Sequence, residues 1–292
     1  MPAHKMRRII NFHRDDPNIG DQMSAPTRYF DFPDHEVVRA DLIDETSLDL
    51  DEAIVILGGG GLLDTFFLPA IERIRTATRT GRLIAWGVGQ QLDTGPWWQR
   101  YPEFPYARFL EGFDLVGIRD DGFAHPWVPC ASCMHPIFDA PPAPHHEFVV
   151  FSHRSRPLPI LEWPNLRNDQ ADFEETIAFL ASGETIITSS YHGLYWGMLL
   201  GRRVVAFPFN SKFLTLRHPP TLYPAIWERP GRLQRLLGRL RARTPSPYVC
   251  RDVEGWRLLA GASRAQPEML EACRASNRAF HQRVLELIDQ GD

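Results

Sequence analysis

No apolar run in this chain approaches the roughly 18 residues that a membrane-spanning helix requires. The N-terminus, Met1-Pro2-Ala3-His4-Lys5, leads directly into a polar segment, so a classical secretory leader is not expected either. Charge of one sign is also scarce. The net charge is −4 and the pI about 6.3, which argues against a broad nucleic-acid-binding face and leaves only local basic sites. Cysteine is sparse: four residues, Cys130, Cys133, Cys250 and Cys273. The pair Cys130-x-x-Cys133 followed by His135 could start a zinc site, but no second closely spaced Cys/His pair follows at finger-like separation. Buried or loop thiols, reduced in a cytoplasm, and no metal are the expectation. The glycine-rich stretches lack the G-x-G-x-x-G spacing of dinucleotide sites, and no G-K-[ST] follows them, so nicotinamide and P-loop chemistry are poorly supported. Repeats and low-complexity segments are absent.

What remains is an ordinary globular composition, 43% hydrophobic and 23% charged over 292 residues, long enough for two modest domains. Two α/β halves are predicted. In the first, Arg8-Ile9-Ile10-Asn11-Phe12 reads as a strand feeding the polar loop Asp15 to Asp21, and Ala53 to Leu57 as a continuous apolar strand. Gly58-Gly59-Gly60-Gly61 then reads as a turn, followed by a helix from about Phe67 to Arg79. Leu83 to Trp86 forms a strand that ends at Gly87-Val88-Gly89-Gln90, and Leu115 to Arg119 forms another. The Pro-rich stretch from Pro136 to His146 is a poor helix or central strand and reads as a linker. In the second half, strands at Phe148–Phe151, Thr185–Thr188 and Val204–Phe207 alternate with helices at Asp172–Ala181 and about Tyr191–Leu200. A final helix is predicted from about Pro267 to Ile288. Alternation of this kind predicts parallel, doubly wound sheets.

Five segments could carry chemistry. Ser189-Ser190 caps a helix whose N-terminus, with His192, would face the C-terminal edge of a sheet, where an anion can bind on free backbone N–H groups. In Asn18-Ile19-Gly20-Asp21, Gly20 suits positive φ, and Asp21 is either an N-cap or a catalytic carboxylate. Gly58 to Gly61 would let a ligand approach the backbone, or serve as a plain tight turn. Arg119, at a strand end, offers a planar fork to phosphate or carboxylate, or a salt bridge to Asp120 or Asp121. Ser152-His153-Arg154-Ser155-Arg156 gathers three cations at one strand edge, or is a surface loop. Separately, Arg229 to Arg243 holds six arginines with Leu233, Leu236, Leu237 and Leu240 at helical spacing. Such a face can rest on an anionic membrane or be a solvated helix that packs on its own domain.

Taken together, Thr188-Ser189-Ser190-Tyr191-His192-Gly193 with Lys212 downstream resembles the signature of the polysaccharide pyruvyl transferase family. Asn18-Ile19-Gly20-Asp21, Leu57 to Gly61, Trp86 to Gln90 and Gly117-Ile118-Arg119-Asp120 fall in matching order, and the resemblance spans about residues 9 to 213. It implies a GT-B-like fold, two Rossmann-like domains with parallel sheets across a cleft. The expected limits are residues 1–138 for the acceptor-side domain, 139–147 for the linker, 148–262 for the donor-side domain and 263–292 for a helix that can pack back on the first domain.

The resemblance also implies transfer of a pyruvyl group from phosphoenolpyruvate to two sugar hydroxyls, giving a ketal on a polysaccharide or its lipid-linked precursor, without a further cofactor. On that basis His192 contacts the donor and is the candidate acid, and Asp21 the candidate base. Ser189, Ser190, Gly193, Arg119, His153, Arg154, Arg156 and Lys212 form the donor side; Asn18, Gly20, Gly58, Gly59, Gly60, Gly61 and Gln90 line the acceptor or cleft side. The expected setting is the cytoplasm, with the inner membrane face as a contact through Arg229 to Arg243. One departure is specific: many family members carry an arginine where this chain has Ser190. Arg119, His153, Arg154, Arg156 or Lys212 would then have to neutralise the donor. The competing readings are a GT-B glycosyltransferase using a nucleotide sugar and a catalytically silent carbohydrate- or phosphate-binding protein.

Overall fold

The computed structural model of the protein describes residues 7–44, 48–92, 103–229 and 248–290. Two parallel sheets with helices packed on them account for most of it. The first contains β1 (Arg8–His13), β2 (Glu36–Asp41), β3 (Ile54–Leu57), β4 (Gly60–Leu63), β5 (Arg82–Gln90) and β6 (Leu115–Ile118). Its order is β2-β1-β3-β5, with β4 and β6 both pairing β5. The second contains β7 (His146–Ser152), β8 (Asn165–Arg167), β9 (Gly183–Thr188), β10 (Arg203–Ala206) and β11 (Thr221–Leu222), in the order β11-β10-β9-β7-β8. A short antiparallel ribbon joins β12 (Trp227–Glu228) to β13 (Val249–Cys250).

The central strands are apolar on both faces because both faces are covered. Ile54 to Leu57 in β3 and Ile186 and Ile187 in β9 are all buried, as expected of parallel strands between helical layers. The helices are α1 (Ile19–Gln22), α2 (Leu68–Ala77), α3 (Tyr106–Leu110), α4 (Phe173–Ala181), α5 (Tyr191–Leu199), α6 (Trp256–Ala262) and α7 (Met269–Asp289). α2 carries Pro69 as its second residue, which suits a first turn whose N–H groups lack helical partners. α4 is capped by Asp172, whose carboxylate accepts the Glu175 N–H at 2.9 Å. In α5 every residue is buried, the signature of a helix enclosed on all sides.

α7 explains part of that enclosure. Its buried residues Met269, Cys273, Asn277, Phe280, Val284 and Ile288 recur at helical spacing. Met269 and Cys273 pack with α5, whereas Phe280, Val284 and Ile288 pack with Ile9, Ile54, Ile84 and Trp86 of the first sheet. The helix thus straps both sheets, with each large apolar side chain contributing about 1.5–3 kcal/mol through burial. Asn277 sits at the crossing. Its Oδ1 accepts the Trp86 indole N–H at 2.9 Å, and its Nδ2 donates to the Pro129 and Cys273 carbonyls at 3.2 and 3.1 Å.

Several local expectations need correction. The strand predicted over Leu83 to Trp86 takes in the whole stretch Gly87 to Gln90; Gly87 takes φ +66 and sits where the pairing with β6 slips its register. Gly58 to Gly61 does not run from a turn into a helix, because Gly60 and Gly61 open the extra strand β4. The irregular linker ends at His145, since β7 starts at His146, and Phe138 before it is buried in a turn. Within the stretch Arg229 to Arg243, residues 230 onward lie outside the described residues. Among the described residues no helix is long and apolar enough to cross a membrane.

Truncating Asn277 should orphan the buried Trp86 N–H. We expect Asn277→Ala to lower unfolding free energy by about 1–3 kcal/mol, measured as a drop in urea midpoint at unchanged slope.

Candidate functional site

The two sheets present their C-terminal edges to one another, and the loops leaving those edges interlock. From the first sheet come α1 after β1, Gln90-Gln91 at the end of β5 and Arg119 after β6; from the second come His153 to Arg156 after β7, Ser189 to His192 after β9 and Lys212 after β10. α1 is capped by Asn18, not by Asp21: the Asn18 Oδ1 accepts the Gly20 N–H at 3.2 Å, and Asn18 Nδ2 donates to Asp21 Oδ2 at 2.6 Å. Asn168 Nδ2 reaches across to Asn18 Oδ1 at 2.9 Å. Gly20 has no positive φ. Its role is steric, since a Cβ there would lie 2.0 Å from Nδ1 of His192.

His192 is 5% exposed and lies between Gly20 on its Nδ1 edge and Cys130, whose Sγ is 3.7 Å from Nε2. Burial, then the nearby Arg119 and Lys212 cations, hold this imidazole well below its ordinary pKa, so it is neutral. Asp21 shifts the other way: burial raises its carboxyl, against the pull of Lys212 and Arg119. Arg119 is 4% exposed, its guanidinium lies 4.3 Å from the Tyr191 ring centroid, and its Nη2 donates to the Gln90 carbonyl at 3.3 Å. Its Nε has no hydrogen-bond partner among the described residues. Gly89 and Gly61 make room for it: a Cβ at either position would meet Arg119 Nε at 2.3 Å or Nη2 at 3.2 Å. Lys212 Nζ donates to Gln91 Oε1 at 3.2 Å. Asp21, His192, Arg119 and Lys212 thus form one electrostatic cluster drawn from both sheets.

Other predicted residues serve as supports. Ser189 is fully buried; its hydroxyl accepts the His153 N–H at 3.0 Å and donates to the Arg156 carbonyl, so it holds the 153–156 turn instead of facing a ligand. Ser190 caps α5 by accepting the Gly193 N–H at 3.3 Å, which removes that N–H from anion binding. Gly193 is required for packing, because a Cβ would meet Phe151 at 2.4 Å. Arg154 is committed to Asp16, at 2.7 Å, and to the Pro17 carbonyl, so it clamps the two edges together. Arg156 lies over Tyr248 and Phe209, with its Nη1 on Ser155. His153 is held well below its ordinary pKa by burial, then by Lys212, Arg154 and Arg156, and its Nδ1 meets the Ser155 hydroxyl at 2.8 Å.

Gln90 turns inward: its Nε2 donates to Tyr106 at 2.8 Å, and Asp120 accepts both its backbone N–H and the Tyr106 hydroxyl. Asp120 therefore braces the loop, while Asp121 pairs with Arg217 at 3.1 Å; neither is the salt-bridge partner expected for Arg119. Gly58 and Gly59 are demanded by close backbone packing, on the Trp86 and Ser24 carbonyls respectively, and Gly60 by φ +94. Only Gly61 of the four borders the cations.

Sequence reasoning missed Gln91, Tyr191, Asn168 and Cys130 as parts of this cluster. Tyr191 lay inside the singled-out motif and Cys130 inside the Cys130-x-x-Cys133 pair, weighed there only for metal; Gln91 and Asn168 carry no local signal. No group of three or more His, Cys, Asp or Glu is placed to hold a metal among the described residues, and all four cysteines are free and buried.

No family model and no curated protein matches this sequence. A solved structure of an uncharacterized protein from Klebsiella pneumoniae subsp. pneumoniae NTUH-K2044 is similar at TM-score 0.44 and 14% identity, covering 70% of this chain and 84% of that one.

Two substitutions and a pH series give expected outcomes. Gly20→Ala should drive the His192 ring from its seat and cost about 1–3 kcal/mol in urea unfolding. Gly261→Ala, where a Cβ meets nothing within 4 Å inside α6, should be neutral or stabilising by up to about 1 kcal/mol. On acidification, the unfolded chain takes up protons at histidines whose ordinary pKa is 6.5 while folded His192 and His153 remain neutral. Stability should therefore fall as pH drops below about 6.5, with a shallower fall in His192→Gln. The raised carboxyl of Asp21 works in the opposite sense, favouring the folded state below the unfolded carboxylate range and losing that contribution as pH rises through its folded value.

Proposed function

We propose that the protein is a pyruvyl transferase that moves the pyruvyl group of phosphoenolpyruvate onto two hydroxyls of a sugar in a polysaccharide or its lipid-linked precursor, and that its two sheets are the halves of a GT-B-like arrangement. The observation that carries this reading is the cluster of a raised carboxyl, Asp21, beside two cations, Arg119 and Lys212, and a neutral imidazole, His192. Phosphoenolpyruvate brings a phosphate and a carboxylate, which match two cations and an N–H donor in a small volume. Arg119 and Lys212 take over the charge that Ser190 cannot supply. Arg154 does not, because Asp16 already occupies it.

The two titrating groups take different parts from those suggested by sequence. His192, held neutral, binds as a polar group instead of acting as a strong acid. Asp21, raised by burial, can carry a proton and serve as both acid and base. In this mechanism it gives its proton to the methylene carbon of the donor, making C2 electrophilic. As a carboxylate it then accepts the proton of the first sugar hydroxyl as that oxygen bonds to C2. The C2–O bond to phosphate breaks, the second hydroxyl closes the ketal, and its proton leaves with the phosphate.

Incubating the protein with phosphoenolpyruvate and a panel of glycans should release phosphate together with a glycan of higher mass. Asp21→Asn should retain donor binding and lose at least about a hundredfold in turnover. Full turnover in that variant would remove Asp21 from the mechanism. Turnover of a nucleotide sugar in place of phosphoenolpyruvate would favour a glycosyltransferase, and tight anion binding without turnover a silent binder.

A further inference from the structure

Behind His192, away from Gly20, lies a chain of buried polar groups that the transfer reaction does not use. Trp196, on the next turn of α5, donates its indole N–H to Ser132 Oγ at 3.0 Å. Ser132 Oγ is 3.2 Å from Cys130 Sγ, and Cys130 Sγ is 3.7 Å from His192 Nε2. Trp196, Ser132 and Cys130 are completely buried, so water cannot complete their hydrogen bonds. Cys130 and Ser132 lie on the loop and 3₁₀ turn that cross between the two sheets, whereas Trp196 and His192 share one face of α5.

The direction of the chain follows from its first member. An indole nitrogen can only donate. Ser132 Oγ must therefore accept there, and its own proton has one polar neighbour left, Cys130 Sγ. With its sulfur accepting from Ser132, the Cys130 thiol turns its S–H toward His192 Nε2. With Nε2–H donating to sulfur instead, one buried proton is left without an acceptor: that of Ser132 if the thiol donates back to it, or that of the thiol if sulfur accepts from both neighbours. We infer that this one-way chain, Trp196 to Ser132 to Cys130 to His192, fixes His192 as the tautomer protonated on Nδ1, so that it meets its ligand as an N–H donor on the side of Gly20 and Asp21. Cys130, Ser132 and Trp196 are positioning residues. Burial pushes the Cys130 thiol above its ordinary pKa, against the pull of the Ser132 hydrogen bond, which keeps the proton that the chain needs on sulfur.

The consequence for recognition is specific. An imidazole locked in this form offers a hydrogen bond to an anionic oxygen but no lone pair on that side, so it selects for phosphate or carboxylate oxygens and leaves proton removal to Asp21. The use of that N–H in binding phosphoenolpyruvate rests on the proposed function; the tautomer does not.

The test reads the tautomer directly. Protein labelled with ¹⁵N-histidine is examined by two-bond ¹H–¹⁵N correlation at neutral pH, with the His192 signals assigned by their loss in His192→Gln. Nδ1 of His192 should be pyrrole-like and Nε2 pyridine-like; the opposite pattern overturns the inference. Cys130→Ala should abolish the preference and weaken binding of inorganic phosphate roughly tenfold, the worth of about one hydrogen bond. Cys130→Ser, which retains a donor, should restore both. If Cys130→Ala fails to fold, Trp196→Phe serves instead, since loss of the donor-only head should leave the tautomer mixed. An unchanged spectrum in either variant overturns the inference. Absence of phosphoenolpyruvate turnover in the native protein would defeat the functional proposal alone, because the spectrum is read without it.

Discussion

The close approach of Gly20 to the His192 ring is the contact on which the cluster depends. One residue lies in a single-turn helix of the first sheet, the other in a fully buried helix of the second, and no side chain separates them. Any larger residue at position 20 would part the two edges. The Asn18–Asn168 and Arg154–Asp16 bonds fix the same loop from either side, so three independent contacts hold Asp21 beside Arg119 and Lys212.

The electrostatics follow from that enclosure. Bringing a carboxyl, an imidazole and two cations into a buried space raises the first and depresses the second through desolvation. The cations then depress the imidazole further while drawing the carboxyl back toward ionisation. On the proposed function, this bias is what an anionic donor would meet at Arg119 and Lys212. The strap formed by α7, anchored at Asn277, keeps the two sheets from drifting apart and is as much a part of the site as the loops that line it.

Much of the framework was legible in the chain. The β-branched run Thr185 to Thr188, the apolar run Ile54 to Leu57 and the caps Asp172 and Ser190 announce strands and helices through local chemistry alone, and each lies within a residue or two of its predicted place. β2 was missed because its side chains are half-exposed and charged, and β4 because two glycines at its start read as a turn. At the site, the motifs pointed to the right loops but not to the jobs within them. Ser189, Arg154 and Gln90 look like ligand contacts in sequence, yet Ser189 and Arg154 hold neighbouring loops and the Gln90 amide nitrogen donates to Tyr106 of α3.

By itself the sequence determined the central strands and the longer helices, the parallel α/β character and the loops where chemistry could gather, because those depend on periodicity, capping and glycine within a few residues. The tertiary structure alone decided which charged groups meet. Asp21 and His192 are far apart in the chain and become neighbours only when two sheet edges close on them, and the same closure sets their protonation by removing water. It also decided the direction of the Trp196 to His192 chain, since a hydrogen-bonded run of an indole, a hydroxyl, a thiol and an imidazole exists only where packing brings all four together away from water.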